Sequence, residues 1–116
     1  MAETKYAPVG TRVLLENEHV RVWEIELAPG ETLPMHFHDL DYVVVALVDG
    51  PTTVEWEDGR RESNWHTPGE ITWRSAPHAH ALTNSGTKTY RNRLIELKTS
   101  RESLVASLWP NDVGSP

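Results

Sequence analysis

Short extended segments separated by turn residues run through most of this chain. Residues 21–27 alternate polar and apolar side chains and stop before Pro29 and Gly30, a pattern typical of a half-buried strand. Residues 42–48 form a nearly unbroken β-branched run, as expected for a strand covered on both faces. Further strands are predicted at residues 52–57, 71–73 and 90–98. Strands spaced by roughly 8–12 residues favour an antiparallel sandwich or barrel over a βαβ fold.

The length of 116 residues predicts a single domain with one hydrophobic core. We assign residues 1–116 to one domain, with a barrel core at about 12–98 and a C-terminal extension at about 99–116. The fold class is therefore all-β, with at most a short C-terminal helix at residues 100–108. Ser100 could cap that helix.

The charge of the chain limits its partners. Acidic residues outnumber basic ones by 17 to 11, for a net charge of −6, which argues against nucleic acid and anionic membranes because both require a concentrated basic surface. The chain has no cysteine, so disulfides, thiolate ligands and cysteine nucleophiles are excluded. With no signal-like or membrane-spanning apolar run, we expect a cytoplasmic protein.

Two histidines stand on either side of Phe37. His36 and His38 project from the same face of an extended strand, because side chains alternate with a period of two. Such a pair can present two imidazoles to one metal ion. A third histidine at the same depth, from the segment of residues 77–80, would complete a triad. The alternative is that each histidine is an ordinary surface or hydrogen-bonded core residue.

Glycines frame the histidines in two blocks. The first block contains Gly30, then His36 and His38, then Gly50. The second contains Gly69, His80 and Asn84. In order and spacing the two blocks resemble the two sequence motifs of the cupin superfamily, which are small double-sheet β-barrels of the jelly-roll kind, also described as double-stranded β-helices. The resemblance covers about residues 20–98.

The resemblance implies that His36, His38 and His80 are metal ligands. The glutamate ligand that usually accompanies them would fall at Tyr42 or Val43, and neither carries a carboxylate. Asp41 is the nearest acid, but on a regular strand it is out of phase with the histidines unless a bulge intervenes. We therefore expect three histidines without a carboxylate.

Three neutral imidazoles leave a divalent ion its full charge, which favours anionic or chelating substrates. Some cupin dioxygenases, including thiol dioxygenases and an acetylacetone-cleaving enzyme, are similar in using three histidines. The expected cofactor is a divalent transition metal: iron(II) is favoured, and zinc, nickel or manganese are alternatives.

Two residues near the expected metal are candidates for acid–base catalysis. Tyr42 stands by the vacated glutamate position and could equally be a core aromatic. His78 precedes His80 by two residues and would point the same way on a strand. It could be a fourth ligand, a hydrogen-bond partner or a proton shuttle.

The last predicted strand offers two arginines. Arg91 and Arg93 share phase with Ile95 and Leu97. If those apolar residues face the interior, one or both arginines approach the cavity, where a guanidinium could bind a substrate carboxylate. The alternative is that both reach solvent or an acidic surface partner.

These expectations combine into one functional hypothesis. The protein is a small metal-binding cupin, an iron(II) dioxygenase-like enzyme acting on a small, possibly anionic molecule. The alternatives are a redox-neutral isomerase or lyase, and a non-catalytic ligand-binding or sensor barrel. Because the unpaired edge of a short barrel favours strand pairing, we also expect a homodimer.

Overall fold

The computed structural model describes residues 6–98 of the chain. In chain order its strands are β1 (Arg12–Glu16), β2 (Val20–Leu27), β3 (Thr32–His38), β4 (Tyr42–Ala46), β5 (Gly50–Trp56), β6 (Arg61–His66), β7 (Ile71–Arg74), β8 (His78–Asn84) and β9 (Tyr90–Leu97). These described residues contain no helix, so none there is long and apolar enough to cross a membrane. The helix predicted at residues 100–108 and the C-terminal extension lie outside the described residues.

The strands form two antiparallel sheets. One sheet has five strands in the order β1-β2-β9-β4-β7, and the other has four in the order β3-β8-β5-β6. Apart from the consecutive pairs β1-β2 and β5-β6, neighbours in these orders are far apart in sequence, so each sheet is assembled from both halves of the chain. The prediction of an all-β, double-sheet architecture is confirmed.

The hydrophobic core lies on the inner faces of the sheets. Its buried members are Ile25, Leu27, Leu33, Tyr42, Tyr90 and Leu94. The alternation predicted for β2 places Ile25 and Leu27 inside. Strands β1 and β6 were not predicted from the sequence. Their side chains are mostly exposed, so neither strand shows the alternation of a half-buried strand.

Strand β9 has the opposite phase from the one that its apolar residues suggest. Tyr90, Asn92, Leu94 and Glu96 are the buried residues of this strand, so the intervening residues face outward. The expectation that Arg91 and Arg93 approach the cavity is therefore wrong. The cause is that polar Asn92 and Glu96 occupy the inner face and find partners there, which reverses the apparent pattern.

The arginines of β9 instead bind Glu24 on the outer face of the five-stranded sheet. The Glu24 carboxylate accepts hydrogen bonds from Arg91 Nη2 at 2.6 Å and Arg93 Nη1 at 2.8 Å, and Arg12 Nη2 lies 2.6 Å from its other oxygen. Only 3% of Glu24 is exposed. The hydrogen bond from Arg91 and those from the other two arginines lower the pKa of Glu24 to about 2.

We predict that Glu24→Gln lowers the melting temperature at pH 7, because three guanidinium groups lose their counter-charge. The folded-state pKa of Glu24 is below its ordinary 4.5, so its stabilisation is complete above that pH and is lost as the pH falls toward 2. The melting-temperature difference from wild type should therefore shrink between pH 4.5 and pH 2. Circular dichroism melts across this range measure the difference.

Glu55→Gln is the matched control, because Glu55 is exposed and has no ion pair within residues 6–98. It should melt like wild type throughout. A Glu24→Gln deficit that does not depend on pH would contradict the assignment.

Candidate metal centre

Three histidines from two neighbouring strands meet inside the fold. His36 and His38 come from β3, and His80 comes from β8. Antiparallel pairing places His36 directly opposite His80, and His38 opposite His78. His36, His38 and His80 are almost fully buried. The predicted association of the two histidine blocks is thus present in the structure.

A β-bulge in β3 aims the first histidine inward. Leu33 pairs with Leu82 and His36 pairs with His80, so β3 uses one residue more than β8 over this stretch. Without the extra residue, Leu33 and His36 would face opposite sides of the sheet. The bulge lets the core leucine and the histidine both point inside.

The three imidazoles are close enough to share one ion. Each offers a ring nitrogen, and these atoms lie within 4.8 Å of one another. His36 Nδ1 donates a hydrogen bond to the Pro34 carbonyl oxygen at 2.8 Å, which leaves Nε2 with its lone pair. Both ring nitrogens of His38, and Nδ1 of His80, are buried without a hydrogen-bond partner. Buried polar atoms usually have partners, so an unpartnered set calls for an explanation.

Burial keeps these histidines neutral. Desolvation lowers the pKa of His38 to about 2 and that of His80 to about 3, and it also lowers the pKa of His36. His36 and His80 lower the pKa of His38 further, and His36 lowers that of His80, because two adjacent positive charges would repel. A metal ion requires deprotonated imidazole, so the site is in its metal-binding protonation state at neutral pH.

The donor set fits a divalent transition metal. Nitrogens that share such an ion lie about 2.0–2.1 Å from it and hence no more than about 4.2 Å apart. The 4.8 Å limit on the present separations requires only small ring rotations to close. Imidazole suits iron, zinc, nickel, copper and manganese to different degrees.

No carboxylate joins the cluster in the described part of the chain. The Asp41 carboxylate instead accepts a hydrogen bond from the backbone N–H of Ala76 at 2.8 Å. At the position where a glutamate would be expected, the Tyr42 ring stacks on His38 with centroids 4.0 Å apart. Asp41 is thus engaged away from the histidines, and position 42 presents a ring instead of a carboxylate.

His78 lies beside the triad with both of its ring nitrogens engaged. Nδ1 lies 2.9 Å from the Ser75 carbonyl oxygen and therefore carries the proton. Nε2 then accepts a hydrogen bond from Tyr42 Oη at 2.9 Å. Burial raises the pKa of Tyr42, so the phenol keeps its proton. Of the roles open to His78, this geometry favours that of a hydrogen-bond partner over that of a fourth ligand.

A cavity of about 340 Å³ lies between the two sheets and reaches His36 and His80 of the triad. Its polar lining includes His36, His80, Tyr42, Thr52, Glu62, Asn64, His66, Glu70, Thr72, Arg74, Tyr90 and Asn92. Arg91 and Arg93 are absent from the lining. The cavity is therefore larger and more polar than the histidine motif alone indicates.

Sequence reasoning missed two lining residues. His66 lies with Nε2 2.7 Å from Thr52 Oγ1. Arg74 shares an inward phase with Thr72, while Ile71 and Trp73 on the same strand are 70% and 53% exposed. The alternation of apolar and polar residues in β7 was the sequence signal for two faces of this strand, but its apolar residues point outward and its polar residues point inward.

The chain resembles proteins of known sequence and structure. It is 37% identical over 76 residues to the β-alanine degradation protein BauB of Pseudomonas aeruginosa, a match spanning 63% of this chain and 76% of that one. A cupin domain from Bordetella pertussis superposes with a TM-score of 0.72 at 28% identity, covering 84% of this chain and all of the other. This chain belongs to the cupin superfamily.

A second solved structure supports the same cupin fold. It is an RmlC-like cupin with a double-stranded β-helix fold from Methanocaldococcus jannaschii, with a TM-score of 0.63, 18% identity and coverage of 83% and 86% of the two chains. No protein-family model matches this cupin.

We predict that His80→Ala lowers bound metal from about one ion per chain to a small fraction, because a buried ligand is lost. The double change His36→Ala/His38→Ala should act in the same way while the chain remains folded. Elemental analysis of protein purified without a histidine tag, together with circular dichroism, measures both properties.

His78→Ala is the matched control, since His78 lies two residues away with its nitrogens engaged elsewhere. It should retain the metal. Full retention in the double variant, or loss in His78→Ala, would contradict the assigned triad.

Proposed function

We propose that this cupin is a metal-dependent enzyme that acts on a small anionic molecule and resembles the iron(II) dioxygenases. The observation that carries the proposal is the set of three buried, neutral histidines beside a cavity, in which His38 and His80 have ring nitrogens without hydrogen-bond partners. Because no carboxylate from residues 6–98 joins the set, a divalent ion held by these imidazoles alone keeps its full charge. That charge favours an anionic ligand.

The chemistry divides between the ion and the surrounding residues. When bound, the metal supplies Lewis acidity and open coordination positions for the substrate and for dioxygen as co-substrate. His36, His38 and His80 hold it through neutral imidazoles. The apolar part of the cavity wall, including Ile25, Val54 and Leu82, excludes water from one side of the substrate.

Tyr42 and His78 are the proposed acid–base pair. Tyr42 lines the cavity, and its Oη donates a hydrogen bond to His78 Nε2. His78 is only half-buried, so it can exchange a proton with solvent. In this proposal a proton is held at Oη and passed outward through the imidazole.

The relative from Pseudomonas aeruginosa supports the choice of a small substrate that carries a carboxylate. That protein is named for β-alanine degradation, and β-alanine is a small molecule with one carboxylate. The cavity volume of about 340 Å³ accommodates a molecule of this size.

Substrate-dependent oxygen consumption tests the reaction type. Iron(II)-loaded protein is assayed with an oxygen electrode against thiols, β-diketones, catechol-like acids and β-alanine. We expect uptake with at least one compound and none with the His36→Ala/His38→Ala protein. Absence of uptake with every compound would contradict the dioxygenase proposal, and turnover by zinc- or manganese-loaded protein would instead support redox-neutral chemistry.

Tyr42→Phe tests the acid–base pair with an active substrate from that panel. Removing a general acid typically costs 10²–10⁴-fold, so we expect kcat to fall by about 10²-fold or more with little change in KM. Metal content should be unchanged, since the phenol lies outside the triad. An unchanged kcat would assign Tyr42 to packing alone.

A further inference from the structure

Arg74 presents an unpaired guanidinium to the cavity. Carboxylates lie within ion-pair distance of Arg12, Arg21, Arg60, Arg91 and Arg93. Within residues 6–98, only Arg61 and Arg74 among the arginines have no such partner. Arg61 is exposed to solvent, whereas Arg74 is half-buried and lines the cavity. An unpaired cation in a partly desolvated position is costly unless an anion joins it.

Arg74 is also close to the metal-binding histidines. On β7 it lies directly opposite Tyr42, whose ring stacks on His38. Its guanidinium carbon lies 5.3 Å from the centre of the Trp56 ring, and that ring lies 5.0 Å from His80. Tyr42 therefore lies between Arg74 and His38, and Trp56 lies between Arg74 and His80.

The acidic residues of the cavity do not neutralise this arginine. Glu62 accepts a hydrogen bond from Trp56 Nε1 at 3.2 Å, and Glu70 faces His66 Nδ1 at 3.9 Å. Both glutamates are exposed. Apart from these two, no acidic residue lines the cavity that Arg74 shares with His36 and His80.

We propose that Arg74 is the substrate-binding residue of this cupin and that it binds a carboxylate group. The planar guanidinium matches a carboxylate bidentately, while the other end of the molecule extends toward His36, His38 and His80. The apolar wall contacts the hydrocarbon between the two ends. The substrate class is thus a small carboxylic acid, and this inference rests on the proposed function because it uses the same cavity.

Propionate and propionamide are suitable probes, because they have nearly the same shape and differ in charge. Their binding to zinc-loaded protein is measured by ligand-observed NMR titration, with zinc content determined on each sample. We expect wild type to prefer propionate, and Arg74→Gln to reduce the propionate affinity about tenfold or more with unchanged zinc content. Arg74→Lys, which keeps the charge but not the planar fork, should retain part of the preference.

Two further variants keep the test decisive. Arg61→Gln removes the other unpaired arginine from the exposed surface and should bind propionate like wild type. Thr72→Glu places a carboxylate on the inward face of β7, next to Arg74, and should abolish the preference without removing the arginine. Folding of each variant is checked by circular dichroism.

The outcomes separate this inference from the metal proposal. If folded, zinc-loaded Arg74→Gln or Thr72→Glu binds propionate as tightly as wild type does, the role of Arg74 is overturned, because the metal alone would then hold the carboxylate. If wild-type protein binds no zinc but still prefers propionate, and Arg74→Gln loses that preference, the carboxylate site is supported and the metal centre is contradicted.

Discussion

The register in which β3 pairs with β8 is the constraint on which the site depends. It sets His36 opposite His80, and a slip of one residue would turn the histidines of the displaced strand to the other face of the sheet. The bulge after Leu33 is part of that register. Next to the bulge, the hydroxyl groups of Thr32 and Thr83 are 2.7 Å apart and hydrogen-bonded.

Asn84 stabilises this register from the end of β8. Its Nδ2 donates hydrogen bonds to the carbonyl oxygens of Leu27 at 2.9 Å and Lys88 at 2.7 Å, and the backbone N–H of Gly30 donates to the Asn84 carbonyl. Gly30 has a φ of 82°, a conformation that favours glycine. The glycine and asparagine of the two sequence blocks thus meet in space and hold the turns around the histidine strands.

The sequence predicts the features that depend on local spacing. The histidine pair, its turn glycines and the alternation of β2 were all readable, because period and turn chemistry are properties of neighbouring residues. The orientation of β9 could not be predicted in this way. Its inner face holds Glu96, which accepts hydrogen bonds from Arg21 Nε and Trp23 Nε1, each at 2.7 Å. Those partners come from a strand more than seventy residues away in the chain, so no local pattern marks Glu96 as an inward residue.

The two sheets contribute different parts of the cavity. The histidine triad belongs to the four-stranded sheet, and Tyr42 and Arg74 belong to the five-stranded sheet. A substitution on β7 can therefore alter which molecule fits without disturbing the strands that carry the imidazoles. Within one fold, the charge preference proposed for Arg74 and the capacity to hold an ion can therefore diverge independently during evolution.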